Sequence, residues 1–263
     1  MDGVAVDLRK TKYILPNLFT LASVFAAFYS MLIVARAETA AELSVAAWLI
    51  VVSMIMDGLD GRVARLTRTQ SDFGVQLDSL ADAVAFGVAP GFLVYRWGLE
   101  SLGWGGIVIA FAFIACGILR LARFNVLAAR STDDGPSQHF VGLPIPLAAG
   151  SLISVVLAHT AMVGTFHTNA AFSVGLFTVV LAGLMVSNVS FRTFKKIRVR
   201  GKRMILIVAA LAGVVVACIK FNPGIVMACL TFAYVVLGVT ESTIALGRRR
   251  VRRAAAIDDS DAD

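Results

Sequence analysis

The chain has 263 residues, of which 58% are hydrophobic and only 16% charged, against roughly 45–50% apolar and 25% charged for a water-soluble domain. With a mean hydropathy of +0.82, it has apolar length for six to eight bilayer spans of about 20 residues each and little left for a soluble catalytic domain. The formal charge of +7 suits either a nucleic-acid partner or the basic loops of a membrane protein, so the placement of the charges decides.

Residues 1–13, MDGVAVDLRKTKY, are too polar for a cleaved signal peptide and read as a cytoplasmic N-terminal segment. Eight apolar runs follow: Ile14 to Val34, Ala40 to Arg65, Gly74 to Trp97, Leu102 to Phe124, Leu143 to Val163, Ala170 to Val189, Met204 to Ile219 and Gly224 to Leu246. The seventh is short and the second runs on into charged residues. The expected fold is an all-α, polytopic membrane helix bundle of about eight transmembrane helices, with residues 14–246 forming one transmembrane domain. Residues 247–263 form a charged tail, RRRVRR followed by an acidic end, expected in the cytoplasm. With the N-terminus inside, 21 of the 24 Lys and Arg fall on inner loops and ends, leaving Arg36, Arg96 and Lys220 outside. That asymmetry places both termini in the cytoplasm and removes the nucleic-acid reading, since the basic residues are spread over every inner loop.

Trp48, Trp97 and Trp104 fall near outer span ends and read as interfacial anchors. Cys116, Cys218 and Cys229 lie in apolar runs without CxxC spacing, so neither a disulfide framework nor a zinc site is indicated. His139, His159 and His167 lack partners at ligand spacing and read as incidental. Pro144 and Pro146 are expected to start and kink the fifth span, with Gly142 relaxing the approach, and Pro90 to bend the third span away from its neighbour.

The informative stretch joins the second and third spans. Asp57 and Asp60 are three apart, and Asp78 and Asp82 are four apart, so each pair occupies one helical face. Four carboxylates gathered at the inner membrane surface need a neutraliser. An all-oxygen donor set without His or Cys selects Mg²⁺ or Mn²⁺ over Zn²⁺, with Ca²⁺ chemically open. Two facing pairs suit two metals clamping the oxygens of a phosphoryl displacement. Gly61, Ala64 and Gly74 add a smooth stripe where a ligand can approach backbone, or where helices simply pack closely. Arg65 adds a forked donor suited to a diphosphate.

These residues carry a resemblance. Asp57-x-x-Asp60-Gly61-x-x-Ala64-Arg65, eight residues, then Gly74-x-x-x-Asp78-x-x-x-Asp82, matches the whole signature of the CDP-alcohol phosphatidyltransferases. LDSLADAVAFGVAP (77–90), LRLARFN (119–125) and FVGLPIPLAAG (140–150) resemble its membrane-bound phosphatidylserine synthases, as does Pro16-Asn17-x-x-Thr20, where Ser23 replaces a common Asn. The resemblance implies a six-helix core in a homodimer and a cytosol-facing site in the cell membrane. Its substrates would be CDP-diacylglycerol and L-serine, and its products phosphatidylserine and CMP. It further implies metals held by Asp57, Asp60, Asp78 and Asp82, and CDP bound by Asp60, Gly61, Ala64, Arg65, Gly74, Asn17 and Thr20. Asp82 would be the general base. Arg120, Arg123 and Asn125 close the fourth span on the inner side and could receive the serine carboxylate or a lipid phosphate, or serve as inner-end anchors. Two alternatives stay open: the same signature with a glycerol-phosphate, inositol-phosphate or inositol acceptor, and a cation transporter, against which the acids' single cluster at the membrane edge argues.

Overall fold

The computed structural model describes residues 8–67, 71–130, 139–187, 189–192, 220, 222–238 and 240. Among these, eight α-helical segments carry the chain: α1 (Leu8–Arg36), α2 (Ala40–Thr67), α3 (Asp72–Asp82), α4 (Ala89–Val94), α5 (Trp104–Arg130), α6 (Ile145–Met162), α7 (Ala171–Val186) and α8 (Pro223–Gly238). Five continuous helical stretches are long and apolar enough to cross a membrane: Pro16–Arg36, Ala40–Thr67, Phe73–Leu102, Trp104–Leu127 and Ile145–Met162. Ala171–Val186 and Pro223–Gly238 are shorter apolar helices. The expected span from Met204 to Ile219, and the charged tail, lie outside the described residues.

One departure from an all-helical chain is a three-residue antiparallel ladder, β1 (His139–Val141) with β2 (Ser190–Arg192), pairing Phe140 with Phe191. It joins the chain before α6 to the chain after α7. Between them Gly142 adopts φ +83°, and its missing side chain lets the backbone lie against the Met185 carbonyl. Pro144 caps α6 and Pro146 sits in its first turn, where a missing N–H leaves no hydrogen bond unmade. Both prolines therefore start this helix, and neither kinks it.

The third span is not a uniform helix. It passes from α3 into a π turn (Ala83–Val88), then α4, a second π turn (Tyr95–Leu99) and a 3₁₀ turn (Glu100–Leu102). Pro90 explains the first irregularity: its ring removes an amide and crowds the preceding turn. The chain widens just before it, with the Ala89 amide reaching back five residues to the Val84 carbonyl. The expected bend away from a neighbour is not found at this point. Pro90 and Gly91 are buried, and a Cβ on Gly91 would stand 2.9 Å from Ile114 Cγ1 of α5, so the widened turn brings two helices together.

Small residues and hydroxyls set the packing. Ala27 of α1 and Ala46 and Ala47 of α2 are fully buried, letting these two helices lie together along their length. Ser23 and Ser53 share a hydrogen bond of 2.8 Å, Ser30 donates to the Ala46 carbonyl at 2.7 Å, and Ser44 donates to Thr160 at 2.7 Å. Such bonds tie helices where the surrounding lipid offers no competing partner. The Ser in place of the more common Asn at position 23 thus keeps a polar contact.

Trp97 corrects an expectation. Its ring is buried at 2% exposure, and Nε1 donates to His159 Nδ1 at 3.1 Å, so it is a core residue with a satisfied indole, and His159 is its partner rather than incidental. Trp48 and Trp104 are exposed on the helix surface.

Candidate active site

Why the acids meet follows from the helices that carry them. α2 continues as helix through Gly58 and Gly61 to Thr67, keeping Asp57 and Asp60 on one face. After a short connection Ser71 caps α3 in extended conformation, its hydroxyl accepting from the Gly74 amide at 3.0 Å. That cap starts the helix on which Asp78 and Asp82 stand. Gly74 fits this turn closely: a Cβ there would lie 3.2 Å from Ser71 Oγ and 3.9 Å from Asn17 Oδ1.

Asp57, Asp60 and Asp78 each turn one carboxylate oxygen to a common point, all within 4.8 Å of one another. Asp82 stands outside this trio, one turn beyond Asp78 on the same helix, where the charges of Asp57, Asp78 and Arg120 act on it. Asp57 Oδ1 and Asp82 Oδ1 are buried without a hydrogen-bond partner. Converging anionic oxygens with unmet lone pairs are strongly unfavourable by themselves. Oxygen-only donors at this spacing fit a hard divalent cation.

α1 completes the site. Thr20 is buried at 5% exposure, and its hydroxyl donates to Asp60 Oδ2 at 2.6 Å, the short length of a charge-assisted bond. Thr20 thus holds the rotamer of one of the three converging acids. Beside them opens a cavity of 280 Å³ lined by Pro16, Asn17, Thr20, Asp60, Gly61, Ala64, Arg65, Ser71, Gly74, Val75 and Asp78. The Arg65 guanidinium lies over Gly61, 3.9 Å from where a Cβ would be, so this glycine leaves the groove open beneath a cationic fork. The structure therefore brings together the seven residues expected to meet CDP. Ser71, Pro16 and Val75 line the cavity as well and were not singled out from the sequence. Ser71 carried a legible signal, a serine three residues ahead of the first helical glycine in capping position.

The three residues near the C-terminal end of α5 separate. Arg120 is half-buried, with Nε buried and unpartnered. Arg123 is exposed and directs Nη1 to the Val186 carbonyl at 3.5 Å. Asn125 donates from Nδ2 to Ser79 Oγ at 2.9 Å. The charge of Arg120 acts on Asp82.

Residues 13–186 match the family model described as CDP-alcohol phosphatidyltransferase. As this is more than half of the chain, the protein belongs to that family of transferases. Among curated relatives, the Helicobacter pylori CDP-diacylglycerol–serine O-phosphatidyltransferase is 40% identical over 200 residues, spanning 76% of this chain and 81% of its own. The Bacillus subtilis protein of the same name is 38% identical over 143 residues, 54% of this chain and 72% of its own. The one from Methanocaldococcus jannaschii is also 38% identical over 143 residues, 54% of this chain and 61% of its own.

Proposed function

We propose that the protein is a CDP-diacylglycerol–serine O-phosphatidyltransferase, moving the phosphatidyl group from CDP-diacylglycerol to the hydroxyl of L-serine and releasing CMP. The observation that carries this reading is the three-acid cluster opening onto a cavity floored by glycine and roofed by arginine, with a fourth acid, Asp82, one turn along the helix from Asp78. The shared name of the relatives supports serine as the acceptor.

In this reading Asp57, Asp60 and Asp78 hold divalent metal, Mg²⁺ or Mn²⁺, and Asp82 completes a four-acid set able to hold two ions. The metal, when bound, neutralises the diphosphate and draws charge off the leaving phosphate. Arg65 receives the diphosphate from above, while Gly61, Ala64 and Gly74 let cytidine approach backbone. Asn17 flanks the nucleotide, and Thr20 acts there through its hold on Asp60. Arg120 offers its free N–H to the serine carboxylate. That contact sets the serine hydroxyl near Asp82, which accepts the proton as the oxygen attacks the phosphorus bearing diacylglycerol. The bond from that phosphorus to the bridging oxygen breaks, and CMP leaves with the oxygen.

The same reading places residues 14–246 in one eight-span domain with the site and both termini in the cytoplasm, supported by the asymmetry of Lys and Arg, and the chain in a homodimer. The test is to incubate the purified protein with CDP-diacylglycerol and Mn²⁺ or Mg²⁺, offering serine, glycerol phosphate, inositol phosphate and inositol in turn, and to follow CMP. Release with serine alone, abolished by EDTA, is expected. Release with another acceptor and none with serine overturns the assignment.

A further inference from the structure

Two adjoining cavities lie at the end of the bundle opposite the acids, and the chemistry just described uses neither. From Asp82 to Trp97 the third span runs fifteen residues, about 20 Å along a helix, so both cavities stand well away from the converging carboxylates. The first, of 530 Å³, is walled by Trp97, by Leu152, Val155 and His159 of α6, by Phe177 of α7 and by Phe232 of α8. Phe232 is 62% exposed, so this apolar chamber opens onto the surface that lipid covers. The second, of 610 Å³, is polar, walled by Arg96, Glu100, Ser101, His167 and Asn169. The two share Trp97 and Thr168, which meet where the Thr168 amide donates to the Trp97 carbonyl at 3.4 Å.

The apolar chamber holds a spare donor. Trp97 Nε1 donates to His159 Nδ1 at 3.1 Å, so that nitrogen carries no proton and the ring has its one N–H at Nε2. Nε2 has no hydrogen-bond partner among the described residues. The hydroxyls of Ser151 and Thr231 on the same wall turn back to the Leu147 and Met227 carbonyls of their own helices and leave that donor unanswered. A donor on a hydrocarbon-lined wall calls for one acceptor oxygen on an otherwise apolar ligand, which is the make-up of an acyl ester. In the polar chamber Arg96 Nη1 donates to both carboxylate oxygens of Glu100, at 2.9 and 2.6 Å. The two charges cancel, so the headgroup that suits this chamber brings both signs itself.

We propose that the two cavities form one site for a zwitterionic glycerophospholipid. An acyl chain enters the apolar chamber, its ester carbonyl accepts from His159 Nε2, and a headgroup carrying phosphate and ammonium lies among Arg96, Glu100, His167 and Asn169. A water-soluble ligand would leave the hydrocarbon wall unmatched, and a plain hydrocarbon would leave the charged one so. The site is separate from the acids and stands whether or not serine is the acceptor.

The experiment follows the fluorescence of Trp97 in the purified full chain carrying Trp48→Phe and Trp104→Phe, which remove the other two of its three tryptophans. Bromine on an acyl chain quenches an indole at short range. Phosphatidylethanolamine with brominated chains, titrated into the detergent-solubilised protein, should quench Trp97 saturably. Half-saturation should come at about 3- to 10-fold lower concentration than with brominated diacylglycerol, which lacks a headgroup, or brominated phosphatidylglycerol, which lacks the ammonium. Val155→Phe and, separately, Ser173→Leu fill the chamber from two different helices, and each should remove the quenching without lowering the melting temperature. Equal quenching by all three lipids would mean unselective contact with hydrocarbon and overturn the proposal. Quenching that survives both filling variants would put the bromines outside the chamber and overturn it as well. No quenching by any lipid would also overturn it and give the chamber to a second copy of this chain, in which case Val155→Phe would change the oligomeric state.

Discussion

Replacing Thr20 by Val tests how the site is held. The two side chains have nearly the same shape, and both are β-branched, so helix α1 keeps its packing. What is lost is one donor, 2.6 Å from Asp60 Oδ2 in a position with 5% exposure. A hydrogen bond to a charged group contributes about 1.5–3 kcal/mol, equivalent to ~10- to 150-fold in an equilibrium constant. Losing a residue that orients a metal ligand typically costs 10–100-fold in metal affinity or activity. Both arguments give the same range, so Thr20→Val should weaken Mn²⁺ binding, measured by calorimetry on the purified protein, by about 10- to 100-fold. Half-maximal CMP release should move to higher Mn²⁺ by a similar factor, and Thr20→Ser should restore both. An unchanged Mn²⁺ affinity with a raised CDP-diacylglycerol KM would refute the reasoning, because it would put the Thr20 hydroxyl on the nucleotide instead of on Asp60.

Asp82→Asn keeps the size of the side chain but removes the proton acceptor; CDP-diacylglycerol binding should persist while CMP release falls by ~10²-fold or more, and near-normal turnover would deny Asp82 its role as base. Arg120→Ala should raise the serine KM by at least ~10-fold, since a charged hydrogen bond to a carboxylate is removed, whereas Arg123→Ala, an exposed residue reaching a carbonyl at 3.5 Å, should change it little; equal effects would contradict the separation of the two arginines. Gly142→Ala forces a side chain into φ +83° and against the Met185 carbonyl, costing ~1–3 kcal/mol, and should lower the melting temperature in detergent by several degrees at ~2–4 °C per kcal/mol.

Much of the site was legible because its chemistry is local in sequence. Acids three and four apart on two adjacent helices share faces whatever the rest of the fold does, and that periodicity alone groups Asp57 with Asp60 and Asp78 with Asp82. Their convergence across helices depends on packing, which spacing does not encode, and the structure divides the four into a trio and an outlying Asp82. The role of α1 was less accessible for the same reason: Thr20 is forty residues from Asp60, and only the close approach of two alanine-faced helices puts its hydroxyl there. Near the C-terminal end of α5, polar character suggested one function for Arg120, Arg123 and Asn125 together. Different positions on a helix face different neighbours, however: Arg123 meets a carbonyl and Asn125 a serine, while Arg120 keeps a buried, unpartnered Nε.

Two of the features that misled, Trp97 and Pro90, have a common physical cause. Hydropathy treats the third span as a uniform apolar rod, so a tryptophan near its end reads as an interfacial anchor and a proline within it as a bend. In the structure the span widens into π turns on either side of α4, which absorbs the missing amide of Pro90 and lets Gly91 press against Ile114. The second π turn carries Trp97 inward to His159. Close packing there brings the span against α5, while α3, which carries Asp78 and Asp82, packs on α1, the helix whose Thr20 holds Asp60. A site whose acids are held by a hydroxyl from a neighbouring helix should lose metal affinity before it loses its fold, and this is why Thr20→Val is expected to alter a binding constant in a protein that still assembles.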